Sequence, residues 1–175
     1  MIKPAQLYQE ELKKLYYNTF YDEKYMYYQN WIGTQELEIH NENYNFHEFA
    51  ILENNEVIGY IKYRINWIPN SIDSFSIISF KKSFCFGLDL LKIIDDIFIK
   101  YKINKIEFRA IADNPVIKHY YNFIKIFNGR EVGTLFETVK LSDGELHNEV
   151  LFELFRDNYI NAKNNRNIKT TLKNK

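Results

Sequence analysis

The stretch from Ser71 to Tyr101 constrains the fold most, because it predicts a strand, a turn and a helix in direct succession. The predicted strand, Ser74–Phe80, is rich in strand-forming residues, and the predicted helix, Gly87–Tyr101, carries apolar residues near helical spacing. Between them, residues 81–87 read Lys-Lys-Ser-Phe-Cys-Phe-Gly. A turn that opens a helix leaves backbone N–H groups unpaired at the positive end of the helix dipole. With two lysines beside it, this turn is a candidate cradle for a phosphate or pyrophosphate, although most strand–turn–helix units bind nothing.

Composition narrows the class of protein. The chain has 175 residues, of which 46% are hydrophobic, and this predicts a single globular domain. Lys plus Arg and Asp plus Glu both number 23, so we expect no nucleic-acid partner. Cys85 is the single cysteine, which excludes an internal disulfide. No apolar run approaches the roughly eighteen residues of a membrane helix, and we expect a cytoplasmic protein without a membrane partner.

The order of predicted elements indicates an α/β (α+β) fold. A helix over Lys3–Tyr17 precedes a tyrosine-dense region, Tyr16–Trp31, which could form a substrate wall or simply pack in the core. The strands Glu48–Glu53, Val57–Trp67 and Ser74–Phe80 are typical of an antiparallel meander. Further strands are predicted at residues 103–110, 132–141 and 150–155, with a helix capped by Asn114 and Pro115 between the first two. The predicted domain spans residues 1–160, and the basic, Asn-rich tail 161–175 is expected to be frayed or disordered.

Three segments resemble the GNAT superfamily of acyl-CoA N-acyltransferases. Asn114-Pro115 with a tyrosine seven residues after the Asn, Tyr121, is similar to the family's helix. Residues 130–137 resemble the strand beside the acyl group, and residues 143–154 resemble the closing hairpin of the branch that acetylates ribosomal-protein N-termini and small amines. The resemblance covers roughly residues 48–159 and implies a mixed, largely antiparallel central sheet flanked by helices.

The resemblance also implies a cofactor loop and a reaction. The loop pattern matches at Lys82 and Gly87, whereas Cys85 stands where the family has its first glycine. The implied co-substrate is acetyl-CoA, and the residues that would bind it are Phe80, Lys82, Ser83, Phe84, Cys85, Phe86, Gly87, Leu88, Asn114 and Tyr121. An amine on a small molecule or peptide would attack the thioester directly, and Tyr121 would protonate the leaving thiolate.

The general base and the acceptor stay open at this level. Asp73 is the preferred base because it lies near the strand bordering the site, with Glu107, His119, His147 or a water chain as alternatives. The four histidines and one cysteine lack metal-ligand spacing, so no metal is predicted. We expect a monomer or homodimer. Two other hypotheses remain: a GNAT-shaped binding protein that uses its tyrosine-rich N-terminal surface, and transfer of a longer acyl group into a deep apolar pocket.

Overall fold

The structure, a computed structural model, describes residues 1–28, 36–41 and 43–173, with side chains described as far as residue 165 apart from Tyr28. The strands of this part of the chain are β1 (Ile2–Pro4), β2 (Phe46–Glu53), β3 (Glu56–Asn66), β4 (Ser71–Ser79), β5 (Lys105–Ile111), β6 (Arg130–Lys140) and β7 (Leu146–Phe155). The helices are α1 (Gln9–Thr19), α2 (Phe84–Asp95), α3 (Ile117–Ile126) and α4 (Arg156–Lys173). Short 3₁₀ segments cover Ala5–Tyr8 and Glu23–Tyr28, and a π-helical turn, Asp96–Lys100, extends α2.

The seven strands form one sheet in the order β1-β2-β3-β4-β5-β7-β6. Every neighbouring pair is antiparallel except β4 and β5, which are parallel. The predicted α+β class, with a mixed and largely antiparallel sheet flanked by helices, is therefore confirmed. The predicted meander is also confirmed, because β2, β3 and β4 pair in sequence.

The core lies on both faces of the sheet. One cluster joins the sheet to α2, α3 and α4, and it includes Ile61, Ile94 and Phe152. A second cluster joins α1 to the sheet through Leu12 and Tyr60. Successive residues of a strand point to opposite faces. Ile61 belongs to the first cluster and Tyr60 to the second, so the two clusters lie on opposite faces of β3.

Two predicted boundaries differ from the structure. The predicted N-terminal helix Lys3–Tyr17 starts instead with β1, whose residues pair with β2, and the α-helix proper begins at Gln9. The pairing is a long-range contact that local propensity cannot show.

The chain also continues as α4 beyond residue 160, where the sequence predicts a frayed tail. Burial explains the difference as far as residue 165. Tyr159 and Ala162 are 1% and 6% exposed, at helical spacing, and the Tyr159 hydroxyl donates to Asp95 at 2.8 Å. Lys163 pairs with the same carboxylate.

Some predictions fall outside the described residues. The tyrosine-dense region reaches its end at Trp31, and residues 29–35 are not described. Met26 and Tyr27, which are described, pack against a small cluster of Ile111, Val139 and Leu141. Within the described residues, no helix combines the length and the hydropathy needed to cross a bilayer.

Candidate active site

A cleft opens in the middle of the sheet where β4 and β5 separate. The two strands pair at Ser71 with Lys105 and at Ile72 with Ile106, and the rest of β4 does not pair with β5. The resulting cavity has a volume of about 710 Å³. Backbone N–H and C=O groups on the edges that face the cleft are not hydrogen-bonded between these two strands. They can bind an extended ligand that carries amide groups.

The walls of the cleft combine aromatic and charged side chains. Its aromatic lining is Tyr16, Tyr27, Tyr60, Phe75, Phe108 and Tyr120, and its charged lining is Lys62, Asp73, Glu107, Arg109 and Glu149. Tyr60 is completely buried, and its hydroxyl makes no hydrogen bond with any described residue. Burial, together with the charge of Glu48, raises the pKa of this phenol. The cleft therefore offers apolar surface with polar groups at fixed positions, as small-molecule sites do.

Helix α2 begins close to the end of β4, and its first turn is capped. Ser83 has an extended backbone, and its hydroxyl accepts a hydrogen bond from the Cys85 N–H at 3.0 Å. This cap starts the helix at Phe84, three residues before the predicted Gly87. Phe86 packs on Gly59 of β3, where an added Cβ would lie 2.2 Å from the Phe86 ring. The absence of a side chain at position 59 thus lets α2 approach the sheet.

The predicted loop residues around this helix start have different surroundings. Phe84 is 82% exposed and Leu88 is 44% exposed, while a Cβ added at Gly87 would meet no atom within 4 Å. Lys82 and Cys85 are also exposed. The Phe80 carbonyl accepts a hydrogen bond from the Tyr25 hydroxyl at 2.8 Å. The first turn of α2 is therefore open to a ligand, whereas the Phe80 backbone already has a partner.

A carboxylate lies beside the same helix start. The Ser83 hydroxyl donates to Glu53 at 3.1 Å, and a hydrogen bond from the Cys85 thiol to Glu53 raises the pKa of that cysteine. Lys81 pairs with Glu56. Negative charge from Glu53 at the end of β2 and Glu56 at the start of β3 thus partly offsets the charge of the two lysines, and it would oppose an anionic ligand at this point.

Helix α3 presents two neighbouring tyrosines to different parts of the sheet. Tyr120 lines the cleft and packs edge-on against Phe108 of β5. Tyr121 is not among the lining residues. Its ring packs edge-on against Phe152, and its hydroxyl donates to Glu131 of β6 at 3.0 Å. Burial and this carboxylate raise the pKa of Tyr121.

Asn114 lies at the cleft wall just before α3. Its side-chain oxygen accepts a hydrogen bond from the Val116 N–H at 3.1 Å. This side chain therefore turns the chain into the helix, whose first residue is Ile117. Asn114 joins Tyr120 at one wall of the cleft.

Comparison with solved structures identifies the architecture. Mutant forms of the spermidine/spermine N-acetyltransferase SpeG from Vibrio cholerae align with a TM-score of 0.60 and 20% identity, over 69% of this chain and 70% of that one. SpeG in complex with manganese ions aligns with a TM-score of 0.59 and 19% identity, over 87% and 77%. A chimera of SpeG and hSSAT gives 0.58 and 20%, over 87% and 82%. The fold is that of the GNAT acetyltransferases. No protein-family model and no curated protein shows a significant match to the chain.

Within this GNAT fold, the four predicted candidates for the general base lie in different places. Asp73 lines the cleft, but both of its oxygens contact Arg64 Nη2 at 3.0 Å. Glu107 also lines the cleft and pairs with Lys105. His119 is exposed on α3 and does not line the cavity.

His147, the fourth candidate, is held between two carboxylates outside the cleft lining. Its Nδ1 lies 3.1 Å from Asp113, and its Nε2 lies 2.9 Å from Asp143. These two partners raise the pKa of His147. Of the four candidates, the cleft therefore includes Asp73 and Glu107.

Sequence reasoning missed four residues of the site: Lys62, Tyr120, Glu149 and Glu53. Lys62 lies two residues from Tyr60 on the same strand face, so the alternation along β3 could have indicated it. The other three depend on contacts between elements distant in sequence. Among the described residues, no group of three or more His, Cys, Asp or Glu side chains could hold a metal ion.

Proposed function

We propose that this protein transfers an acetyl group from acetyl-CoA to an amine. The observation that supports the proposal most is the cleft between the separated strands β4 and β5, with the start of α2 following the end of β4. A GNAT-type fold at about 20% identity to polyamine acetyltransferases agrees with this activity. Both the acceptor and the co-substrate are part of the proposal.

The residues present fit an acyl-CoA in two places. The edge of β4 facing the cleft offers unpaired backbone groups to the amides of the pantetheine arm, and the cavity of about 710 Å³ has room for that arm. The first turn of α2, apart from the Cys85 N–H that already donates to Ser83, offers backbone N–H groups to a diphosphate, and the exposed Lys82 offers a positive charge. Asn114 lies at the wall of the same cleft. When bound, acetyl-CoA would supply the activated acetyl group.

The chain itself would supply proton transfers and orientation. We propose Tyr120 as the proton donor to the leaving thiolate, because its side chain is the α3 tyrosine that lines the cleft. Tyr121, which the sequence predicts for this role, is retained as the competing candidate. Asp73 is the proposed acceptor of the amine proton, with Arg64 holding its orientation. The aromatic walls would restrict water near the reacting groups.

Isothermal titration with acetyl-CoA tests the proposal directly. We expect saturable binding, with affinity reduced severalfold in Lys82→Ala and unchanged in Lys125→Ala, a matched exposed lysine on α3. Release of the CoA thiol should then depend on an added amine. Absence of heat at submillimolar cofactor would count against the enzymatic function.

A second function is favoured by one specific observation, namely the Glu53 carboxylate bonded to Ser83 at the start of α2. In a GNAT-shaped binding protein this charge would exclude the diphosphate. The wild-type protein would then show no acetyl-CoA binding, while Glu53→Gln or Cys85→Gly would create it. Binding by the wild type would rule this alternative out.

A further inference from the structure

The carboxylates that face the cleft each have a cationic partner. Asp73 pairs with Arg64, and Glu107 pairs with Lys105. Glu149 lies 3.5 Å from Arg109 and accepts a hydrogen bond from Thr138 at 3.3 Å. The negative charges of this wall are thus already compensated within the described residues. A ligand that carries several ammonium groups would have to compete with these partners.

One charge in the cleft lacks such a partner, and it is a cation. Lys62 on β3 is half-buried, lines the cleft and forms no ion pair or hydrogen bond with the described residues. Its cross-strand neighbour on β4 is Ser76, which lines the same cavity, as does Ser74 two residues before it. Neither serine hydroxyl is hydrogen-bonded within the described part of the chain. A half-buried lysine without a counter-ion, with a serine opposite it on the neighbouring strand, can bind an anion through charge-assisted hydrogen bonds.

We propose that the acceptor carries a carboxylate as well as the reactive amine, as an amino acid does, and that Lys62 with Ser76 binds this carboxylate. The inference rests on the proposed acetyl transfer and specifies its acceptor. The half-buried ring of Tyr27 provides a surface for an aromatic or apolar side chain of the acceptor. A second ammonium group at the same position, as in a polyamine, would meet the uncompensated charge of Lys62.

A matched pair of amines tests the proposal. Phenylalanine and phenethylamine differ in the carboxylate, and spermidine serves as the polycationic comparison. We expect the wild type to have at least about tenfold higher kcat/KM for phenylalanine than for phenethylamine, the scale of one hydrogen bond to a charged group. Lys62→Met should remove this preference, and Lys62→Glu should reverse it in favour of spermidine. Lys125→Glu, the same charge change on the exposed face of α3, should leave the ratio as in the wild type.

Binding of the reaction products gives a readout that does not depend on catalysis. N-acetylphenylalanine should bind the protein without cofactor about tenfold more tightly than N-acetylphenethylamine, and Lys62→Glu should abolish the difference. Because Lys62→Glu is expected to gain activity toward spermidine, loss of folding cannot produce the predicted result.

The outcomes separate the two proposals. The carboxylate site is overturned if the wild type prefers spermidine or phenethylamine, or if Lys62→Glu leaves the ratio of the kcat/KM values unchanged. In either case, binding of acetyl-CoA would still support the enzymatic function. If acetyl-CoA does not bind, the acetyl transfer fails. Binding of N-acetylphenylalanine that depends on Lys62 then still supports the carboxylate site, and binding that does not depend on Lys62 overturns it as well.

Discussion

The two halves of the sheet differ in how their faces are covered. In the half formed by β1–β4, each face carries a buried apolar cluster, because α2 packs on one side and α1 on the other. Lys62 and Asp73 of this half lie where it borders the cleft. In the half formed by β5–β7, one face joins the core through Phe108 and Phe152. The opposite face carries a set of charged side chains that pair with one another: Lys105, Glu107, Arg109, Arg130, Glu149 and Glu153.

This difference shows which half contributes more to stability. Burial of apolar surface contributes about 25 cal/mol per Å², whereas an exposed ion pair contributes about 0.2–1 kcal/mol, so the doubly covered half is the more stable scaffold. The charged half is joined to it through β4 and β5, which pair at two positions before they separate. The cleft therefore lies between the doubly covered half, which contributes Lys62 and Asp73, and the charged half, which contributes Glu107, Arg109 and Glu149.

The largest expected effect concerns the two tyrosines of α3, one at the junction of the halves and one over the charged half. We expect Tyr120→Phe to lower kcat by about 10²–10⁴-fold, the usual contribution of a positioned general acid. Tyr121→Phe, the matched control, should leave kcat nearly unchanged because its hydroxyl bonds Glu131. Measuring both rates over pH 6–10 checks this assignment, and the opposite result would restore the sequence-based choice of Tyr121.

Two glycines, one in each half of the sheet, test the difference in packing between the halves. At Gly59 of the doubly covered half, an added Cβ would lie 2.2 Å from Phe86 Cε2 and 2.8 Å from the Ile78 carbonyl oxygen. At Gly133 of the charged half, it would meet no atom within 4 Å. We expect Gly59→Ala to lower the free energy of unfolding by about 1–3 kcal/mol and Gly133→Ala to leave it unchanged or raise it by about 0.5 kcal/mol. Urea denaturation of both variants measures the difference, and equal losses would refute the contrast.

The sequence predicts those parts of the fold that depend on local patterns. The strand from Val57 is visible because its apolar residues alternate, and Asn114 marks a helix start through its local turn chemistry. β1 is three residues long, and only its pairing with β2 makes it a strand. Local patterns therefore predict the elements, and the contacts between distant segments decide their ends.

The candidate site is less predictable for a physical reason. The point where β4 and β5 separate, after Ile72, coincides with a register shift between β3 and β4, in which Ile72 pairs with Ile65 and Ser74 pairs with Arg64. Tyr120 and Tyr121 differ by about 100° around α3, so a shift in the helix start decides which one faces the cleft. Glu53 reaches the start of α2 from another strand. These three features require tertiary structure.

Two buried tyrosines, Tyr159 and Tyr60, lie on opposite faces of the sheet. Replacing each with phenylalanine should change the free energy of unfolding in opposite directions. The Tyr159 hydroxyl donates to Asp95 at 2.8 Å, so Tyr159→Phe should lower the free energy of unfolding by about 1–2 kcal/mol. The Tyr60 hydroxyl has no hydrogen-bond partner among the described residues, so Tyr60→Phe should raise this free energy by about 1 kcal/mol. Thermal and urea denaturation of the two variants provide the comparison. A loss of stability in Tyr60→Phe would mean that the phenol has a partner in solution.

The smallest expected effect is a pH dependence in the charged half. His147 lies between Asp113 and Asp143, which favour the imidazolium and raise its pKa above the unfolded value of about 6.5. Its contribution to stability is therefore complete below that value and is lost as the pH rises through the higher pKa of the folded protein. His147→Asn should remove this slope, so the difference between the two proteins should shrink from pH 6 to pH 9. Urea denaturation at several pH values, with titration of the His147 ring by NMR, measures both quantities. Parallel curves for the two proteins would show that the carboxylates do not stabilise the imidazolium.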